Sequence, residues 1–123
     1  MHIRGIRGAT TVEENSERAV LEATRELLQG MTQANNVEPD EIAALLFTAT
    51  PDLTAAFPAE AARQLQWTHV PLMSAAEIAV PGGLAMCVRA LMLWNTPRTQ
   101  GEIVHVYQRR AVSLRPDLSS RRG

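Results

Sequence analysis

The sequence predicts a single domain of mixed helices and strands, in the α/β or α+β class, with roughly four strands and three helices. The chain has 123 residues, 46% of them hydrophobic, and a net charge of −1, which fits one globular domain with a sizeable core. Segments with the apolar spacing of a helix are interspersed with short apolar runs typical of strands. We expect the domain to span residues 1–118 and residues 119–123 to form a mobile tail.

The first predicted element is a strand in the opening segment MHIRGIRGATTV. Side chains alternate faces along a strand, so Arg7 shares a face with Gly5 and Ala9, while Arg4 lies opposite. These small neighbours leave room around the Arg7 guanidinium, which suits contact with a ligand. An edge strand with solvated arginines is the alternative interpretation.

The next elements alternate between helix and strand. Apolar residues at helical spacing predict an amphipathic helix over about residues 16–34, capped by Asn15 or Ser16. The continuously apolar run IAALLFTAT, closed by Pro51, predicts a strand buried on both faces. PDLTAAFPAEAARQLQW predicts a turn and then a short helix with Pro58 near its first turn, and HVPLM predicts a brief strand, short or at a sheet edge.

The segment from Leu84 to Trp94 is predicted to be a helix that is apolar on all sides, with Arg89 as its single polar side chain. Such a helix must be covered all round, which favours an oligomer. An arginine in it needs an anionic partner, unless the side chain reaches the surface. Glu77 is isolated in an otherwise uncharged stretch, so it is either the ion-pair partner of Arg89 or a second group facing the same ligand.

The last predicted elements are one long or two short strands in IVHVYQRRAVSL. Tyr107 is the single tyrosine of the chain, and along a strand it shares a face with Ile103 and His105. This phenol either packs in the core with its hydroxyl hydrogen-bonded or lies in a binding site.

Several kinds of chemistry are excluded by the composition. All twelve basic residues are arginine, so a Schiff-base lysine and a phosphate-loop lysine are ruled out. His2, His69 and His105 are far apart, no metal-ligand spacing is present, and no nucleophile signature occurs, so we expect no metal or cofactor. Cys87 is the single cysteine, which suits a reducing, cytoplasmic compartment, and we expect neither a membrane nor a nucleic acid as partner.

Five segments together resemble one enzyme family: IRGIRGATTVEENS, ATPDLTAAFPAEAARQL, VPGGLAMCVR, HVY and LRPDLS. They are similar to the AroH-type monofunctional chorismate mutases of bacteria, and the similarity runs from residue 1 to about 119. The resemblance implies a mixed-sheet α/β subunit, a homotrimer whose sheets form a pseudo-barrel, and three active sites at the subunit interfaces. It also implies the one-step rearrangement of chorismate to prephenate in phenylalanine and tyrosine biosynthesis, without a cofactor.

The resemblance assigns catalytic roles to four residues. Arg7 matches the arginine that binds a substrate carboxylate, and Arg89 matches the arginine that meets the ether oxygen. Glu77 matches the acid that holds the ring hydroxyl, and Tyr107 matches the phenol that contacts a carboxylate. Negative charge grows on the ether oxygen as its bond to carbon breaks, so Arg89 is expected to stabilise the transition state more than the substrate.

Further residues are implied to bind the substrate. Phe57 and Arg63 match residues supplied by the neighbouring subunit. Leu114 and Arg115 match the tail segment that closes over the site. Ser74 stands where the family often has a cysteine beside the substrate, and its hydroxyl offers a similar hydrogen bond.

Two more positions depart from the family pattern. Glu60 replaces a common lysine near the mouth of the pocket, which is expected to slow the entry of a dianion. Met73 replaces a smaller polar residue. Two other classes of function remain alternatives: a non-catalytic trimer that binds a small dianion, and a YjgF-type imine or enamine hydrolase.

Overall fold

The computed structural model describes residues 1–114, and its central feature is a five-stranded mixed sheet in the order β3-β2-β4-β1-β5. The helices and strands are β1 (His2–Thr11), α1 (Glu17–Asn35), β2 (Ile42–Ala49), α2 (Ala59–Gln64), β3 (Leu72–Ala76), β4 (Cys87–Thr96) and β5 (Val106–Tyr107). Short 3-10 segments cover Pro39–Glu41, Gln100–Glu102 and Arg109–Leu114. The predicted mixed α/β class is confirmed. Arg115 and the expected tail at 119–123 lie outside the described residues.

The sheet combines both kinds of strand pairing around β4. Strand β4 pairs antiparallel with β1 on one side and with β2 on the other. The outer strands are parallel to their neighbours, β3 to β2 and β5 to β1. Residues near the end of β1, the start of β4 and the end of β2 therefore lie side by side.

Helix α1 covers one face of the sheet, as its apolar spacing predicts. Ser16 caps the helix by accepting a hydrogen bond from the backbone N–H of Ala19 at 3.1 Å, and the helix ends before Asn36 in the left-handed conformation. At Gly8 on β1, an added Cβ would lie 2.5 Å from the sulfur of Met31, so the helix approaches this strand closely. The main core lies between α1 and this face of the sheet.

The opposite face of the sheet carries large apolar side chains that no helix within residues 1–114 covers. Ile3, Leu46, Leu91 and Met73 are all exposed there, and Met73 is 66% exposed. Their strand pairings place Leu46 between Met73 and Leu91, and Leu91 beside Arg7. The prediction that β2 is buried on both faces is therefore wrong for the single chain.

The predicted helix at Leu84–Trp94 is also wrong, because most of this segment forms the central strand β4. A continuous apolar run has the same appearance in a buried helix and a buried strand, so periodicity could not separate them. In the structure the exposure alternates along β4, with Val88 and Ala90 buried and Arg89 exposed between them. The argument for an oligomer from a helix that is apolar on all sides is therefore wrong.

Other predictions for the short elements are partly confirmed. Helix α2 begins directly after Pro58, and β3 is an edge strand that starts just beyond HVPLM's proline. The segment IVHVYQRRAVSL forms a strand at Val106–Tyr107 and then a 3-10 turn, so the second possible strand is absent from it. Among the described residues, no helix has both the length and the apolar character needed to cross a membrane.

Candidate active site

A row of paired residues crosses the sheet on the face opposite α1. Arg89 on β4 lies opposite Ala9 on β1 and opposite Thr48 on β2. Tyr107 on β5 pairs with Ala9, and Ala75 on β3 pairs with Thr48. Directly paired residues project to the same side of a sheet, so strand pairing by itself brings Arg89, Tyr107 and Thr48 onto one surface.

A cavity of about 340 Å³ opens on this surface, within the size range of small-molecule sites. Its polar lining comprises Arg7, Thr48, Glu77, Arg89 and Tyr107, and its apolar lining includes Leu46 and Leu91. All four predicted catalytic residues therefore line one cavity, although three of them come from different strands and Glu77 follows β3. The cavity combines two guanidinium groups, one carboxylate and one phenol, a set suited to a small ligand that carries carboxylates and a hydroxyl.

Glu77 and Arg89 form an ion pair inside this cavity. Nε of Arg89 lies 3.4 Å from Oε1 of Glu77, and their side chains are 46% and 24% exposed. The backbone N–H of Glu77 donates to the carbonyl of Ala49 at 2.9 Å, which continues the β2–β3 pairing by one residue. The ion pair between Arg89 and Glu77 is thus confirmed, and both side chains also line the same cavity, while their contact with one ligand stays a prediction.

Tyr107 and Arg7 are held by contacts at the β1–β5 edge. Tyr107 is 8% exposed and belongs to a small buried cluster with Ala9 and Ala111, against which Leu114 packs. The backbone N–H of Arg7 donates to Nδ1 of His105 at 2.9 Å, so the loop before β5 is tied to β1. Tyr107 is therefore both a packed side chain and part of the cavity wall.

The remaining predicted binding residues lie on a different part of the chain. Phe57 is 75% exposed and lines, with Ser74 and Glu60, a broad depression on the helix side of the sheet. Ser74 pairs with the buried Phe47, so it projects away from the Arg89 cavity. The Arg63 side chain is 59% exposed and pairs with Glu60 at 3.0 Å. Within one chain, Phe57, Arg63 and Ser74 are not brought together with the four predicted catalytic residues.

Two polar side chains near the site escaped the sequence analysis. Thr48 lines the cavity and donates a hydrogen bond to Glu77. Asp52, in the turn after β2, accepts a hydrogen bond from the backbone N–H of Met86, whose nitrogen lies 3.0 and 3.2 Å from the two carboxylate oxygens. Met86 has a φ of 52°, an unfavourable conformation for a side chain of this size, just before β4 begins. No local pattern marks these contacts, because each joins residues about 30 positions apart.

Cys87 lies at the start of β4, beside Arg89, and is buried. Burial raises the pKa of its thiol, and the nearby Arg89 guanidinium opposes that shift only in part. A thiol that stays protonated at neutral pH is a poor nucleophile. The cavity geometry therefore points to binding and electrostatic stabilisation by Arg89 and its neighbours rather than to covalent chemistry at Cys87.

Comparisons with known proteins agree with this chemistry. The family model for chorismate mutase type I matches residues 3–118. Chorismate mutase AroH of Thermus thermophilus is 56% identical over 119 residues, which cover 96% of this chain and 98% of that protein. Chorismate mutase AroH of Bacillus subtilis is 47% identical over 120 residues, which cover 97% of this chain and 94% of that protein.

A solved structure shares the fold as well. The chorismate mutase of Clostridium thermocellum superposes with a TM-score of 0.87 at 45% identity, over 89% of this chain and 97% of that one. These matches favour neither a non-catalytic dianion-binding protein nor a YjgF-type hydrolase. The chain belongs to the chorismate mutase type I family and is a chorismate mutase, an isomerase that takes chorismate as substrate and gives prephenate as product.

Proposed function

We propose that the cavity lined by Arg7, Glu77, Arg89 and Tyr107 is where chorismate rearranges to prephenate. The observation that carries this proposal is that these four side chains, distant in sequence, line one cavity of about 340 Å³. The rearrangement is intramolecular: one carbon–oxygen bond breaks, one carbon–carbon bond forms, and no proton or electron is exchanged. Such a reaction needs orientation and charge stabilisation from the protein and no nucleophile.

Arg89 has the central role in the proposed mechanism. The carbon–oxygen bond breaks ahead of carbon–carbon bonding, so negative charge grows on the ether oxygen in the transition state. A guanidinium fixed opposite that oxygen stabilises the transition state more than the substrate. Arg89 stands on the central strand of the sheet, paired on both sides, which supports a fixed position for its backbone.

The other three side chains hold the substrate in its reactive conformation. In this proposal Arg7 and Tyr107 bind carboxylates of the substrate, and Glu77 accepts a hydrogen bond from its ring hydroxyl. Holding the two reacting ends together before reaction lowers the barrier by reducing the entropy lost at the transition state. Orientation by these groups and charge stabilisation by Arg89 together account for a reaction that requires no cofactor.

We also propose that the active enzyme is a homotrimer in which a neighbouring subunit completes each site. Two observations support this arrangement. The sheet face that carries Leu46, Leu91 and Met73 leaves apolar side chains exposed in the single chain, as expected of a surface that another subunit covers. Phe57 and Arg63 lie apart from the Arg89 cavity of their own chain, so they can contribute to a site only in another copy.

Several binding residues complete this proposal. Phe57, Arg63 and Ser74 of a neighbouring subunit would close one side of the cavity, and Leu114 with Arg115 would close the other. Glu60 pairs with Arg63 in the chain, which reduces the positive charge available at that entrance. We further propose a cytoplasmic location, in keeping with the single reduced cysteine.

The cavity assignment is tested by Arg7→Ala, with Arg18→Ala as the matched control, because the Arg18 side chain is 92% exposed on α1. Loss of a charged hydrogen bond to a substrate carboxylate costs about 1.5 to 3 kcal/mol, so we expect the KM for chorismate to rise at least about tenfold. Activity is followed as the loss of chorismate ultraviolet absorbance, with prephenate identified as product. Unchanged kinetics in Arg7→Ala would contradict the assignment.

The shared site is tested by mixing two inactive variants, Arg89→Ala and Arg63→Ala, after dissociation and reassembly. In a random trimer, half of the chains carry an intact Arg89 and half of their neighbours an intact Arg63, so about a quarter of the sites are complete. We expect about that fraction of wild-type activity to return at a chorismate concentration where each variant alone is nearly inactive. A monomeric mass in solution, or no recovery in mixed trimers, would contradict the shared site.

A further inference from the structure

Thr48 is a polar side chain in the cavity wall that has no role in the mechanism above. It lies on β2, directly opposite Arg89 on β4, and is half-buried. The neighbouring residues of its strand that share the face are apolar, Leu46 among them. A hydroxyl at this position in an otherwise apolar strand calls for a functional explanation.

The contacts of Thr48 supply that explanation. Its hydroxyl donates a hydrogen bond to Oε1 of Glu77 at 2.5 Å. Nε of Arg89 lies 3.4 Å from the same oxygen. A carboxylate held at one oxygen by a hydrogen bond and an ion pair offers its other oxygen, Oε2, to a hydroxyl of the substrate.

The position of Glu77 in the chain makes such a side-chain contact necessary. Glu77 is the first residue after β3, and its backbone N–H still pairs with Ala49 on β2. The chain then leaves the sheet in an exposed loop that includes Ile78 and Val80. The backbone therefore fixes Glu77 on its N-terminal side only, and the Thr48 hydrogen bond adds a constraint on the carboxylate itself.

We propose that Thr48 is a positioning residue of this enzyme, which holds Glu77 so that its Oε2 faces the ring hydroxyl. A carboxylate released from Thr48 is free to turn about its side-chain torsions, so its Oε2 no longer faces the ring hydroxyl. This inference rests on the catalytic role proposed for Glu77.

The first test compares Thr48→Val with Thr48→Ser. Valine keeps the shape and removes the hydroxyl, and we expect kcat/KM to fall about tenfold, mainly through kcat, which corresponds to about 1.4 kcal/mol. Serine restores the hydroxyl and should recover most of that loss. Thr96→Val is the matched control, because Thr96 is a buried threonine at the far end of β4, paired with His2. Equal kinetics for Thr48→Val and wild type, with both folded, would overturn the proposal.

A double-mutant cycle separates this inference from the role of Glu77 itself. If Thr48 acts through Glu77, adding Thr48→Val to Glu77→Ala should cause no further loss of kcat/KM. An equal loss in both backgrounds would overturn the positioning role while leaving Glu77 catalytic. If Glu77→Ala alone leaves the kinetics unchanged, the proposed role of Glu77 fails, and the role of Thr48 fails with it.

Discussion

Replacing Arg89 by alanine is the most informative perturbation of this enzyme, because its catalytic and structural consequences differ greatly in size. Removing one donor to a developing oxyanion costs about 3 to 4 kcal/mol, so we expect kcat to fall at least about 10²-fold. The Arg89 side chain is 46% exposed and that of its ion-pair partner Glu77 is 24% exposed. Exposed ion pairs contribute about 0 to 1 kcal/mol to stability, so the fold should persist.

The assay is the loss of chorismate absorbance, measured over a range of concentrations for wild type, Arg89→Ala and Arg89→Lys. The alanine variant should lose kcat and kcat/KM together, because the lost interaction is made mainly in the transition state. Lysine keeps the charge but not the planar fork of donors, and we expect an activity between the other two. Thermal unfolding and solution mass verify that each variant is folded and assembled.

Arg18→Ala again serves as the control, since it removes a guanidinium from the surface of α1. Its kinetics should equal those of wild type. The reasoning would be refuted by a folded, assembled Arg89→Ala enzyme whose kcat lies within about threefold of the wild-type value. The loss of an oxyanion donor predicts a much larger decrease in kcat.

Three further predictions concern residues around the site. Asp52→Ala removes the hydrogen bond that the Met86 N–H shares between both carboxylate oxygens, and the one from the Thr50 hydroxyl. We expect a loss of about 1 to 3 kcal/mol in unfolding free energy, measured in urea, with lower kcat; an unchanged midpoint would count against it. Gly8→Ala places a Cβ 2.5 Å from the sulfur of Met31 and should lower the unfolding free energy by about 1 to 3 kcal/mol. Gly5→Ala, whose nearest contact is at 3.4 Å, should lower it little. Equal stability of the two variants would contradict this prediction. Burial raises the pKa of the Cys87 thiol above its ordinary 9.0, so the folded state holds this proton more tightly than the unfolded state. The unfolding free energy should therefore fall as the pH rises above 9.0, and Cys87→Ala should remove that part of the pH dependence. Identical pH dependence in wild type and Cys87→Ala would contradict this prediction.

Local signals predicted the first helix well. The cap at Ser16 and the apolar spacing that follows involve neighbouring residues, and the structure has α1 at Glu17–Asn35. The same reasoning failed for Leu84–Trp94, because an unbroken apolar run does not distinguish a helix from a strand. Pairing with β1 and β2 on both sides makes this segment a strand, and that pairing depends on distant parts of the chain.

The residue types of the candidate site could be predicted from the sequence, but their arrangement could not. Isolated charges such as Arg89 and Glu77 stand out in apolar surroundings, and the motifs around Arg7 and Tyr107 resemble those of one enzyme family. The contact of Thr48 with Glu77 spans 29 positions, and that of Asp52 with Met86 spans 34, so neither is visible in any local pattern.

The sequence by itself determined the residue types available for catalysis, the class of the fold and the first helix, because these depend on composition and on neighbours along the chain. The tertiary structure alone decided that Arg89 stands on a central strand and that Thr48 contacts Glu77. It also decided that Phe57 and Arg63 lie apart from the cavity of their own chain. Strand order and register bring together residues that are distant in sequence, and only the folded sheet defines which of them become neighbours.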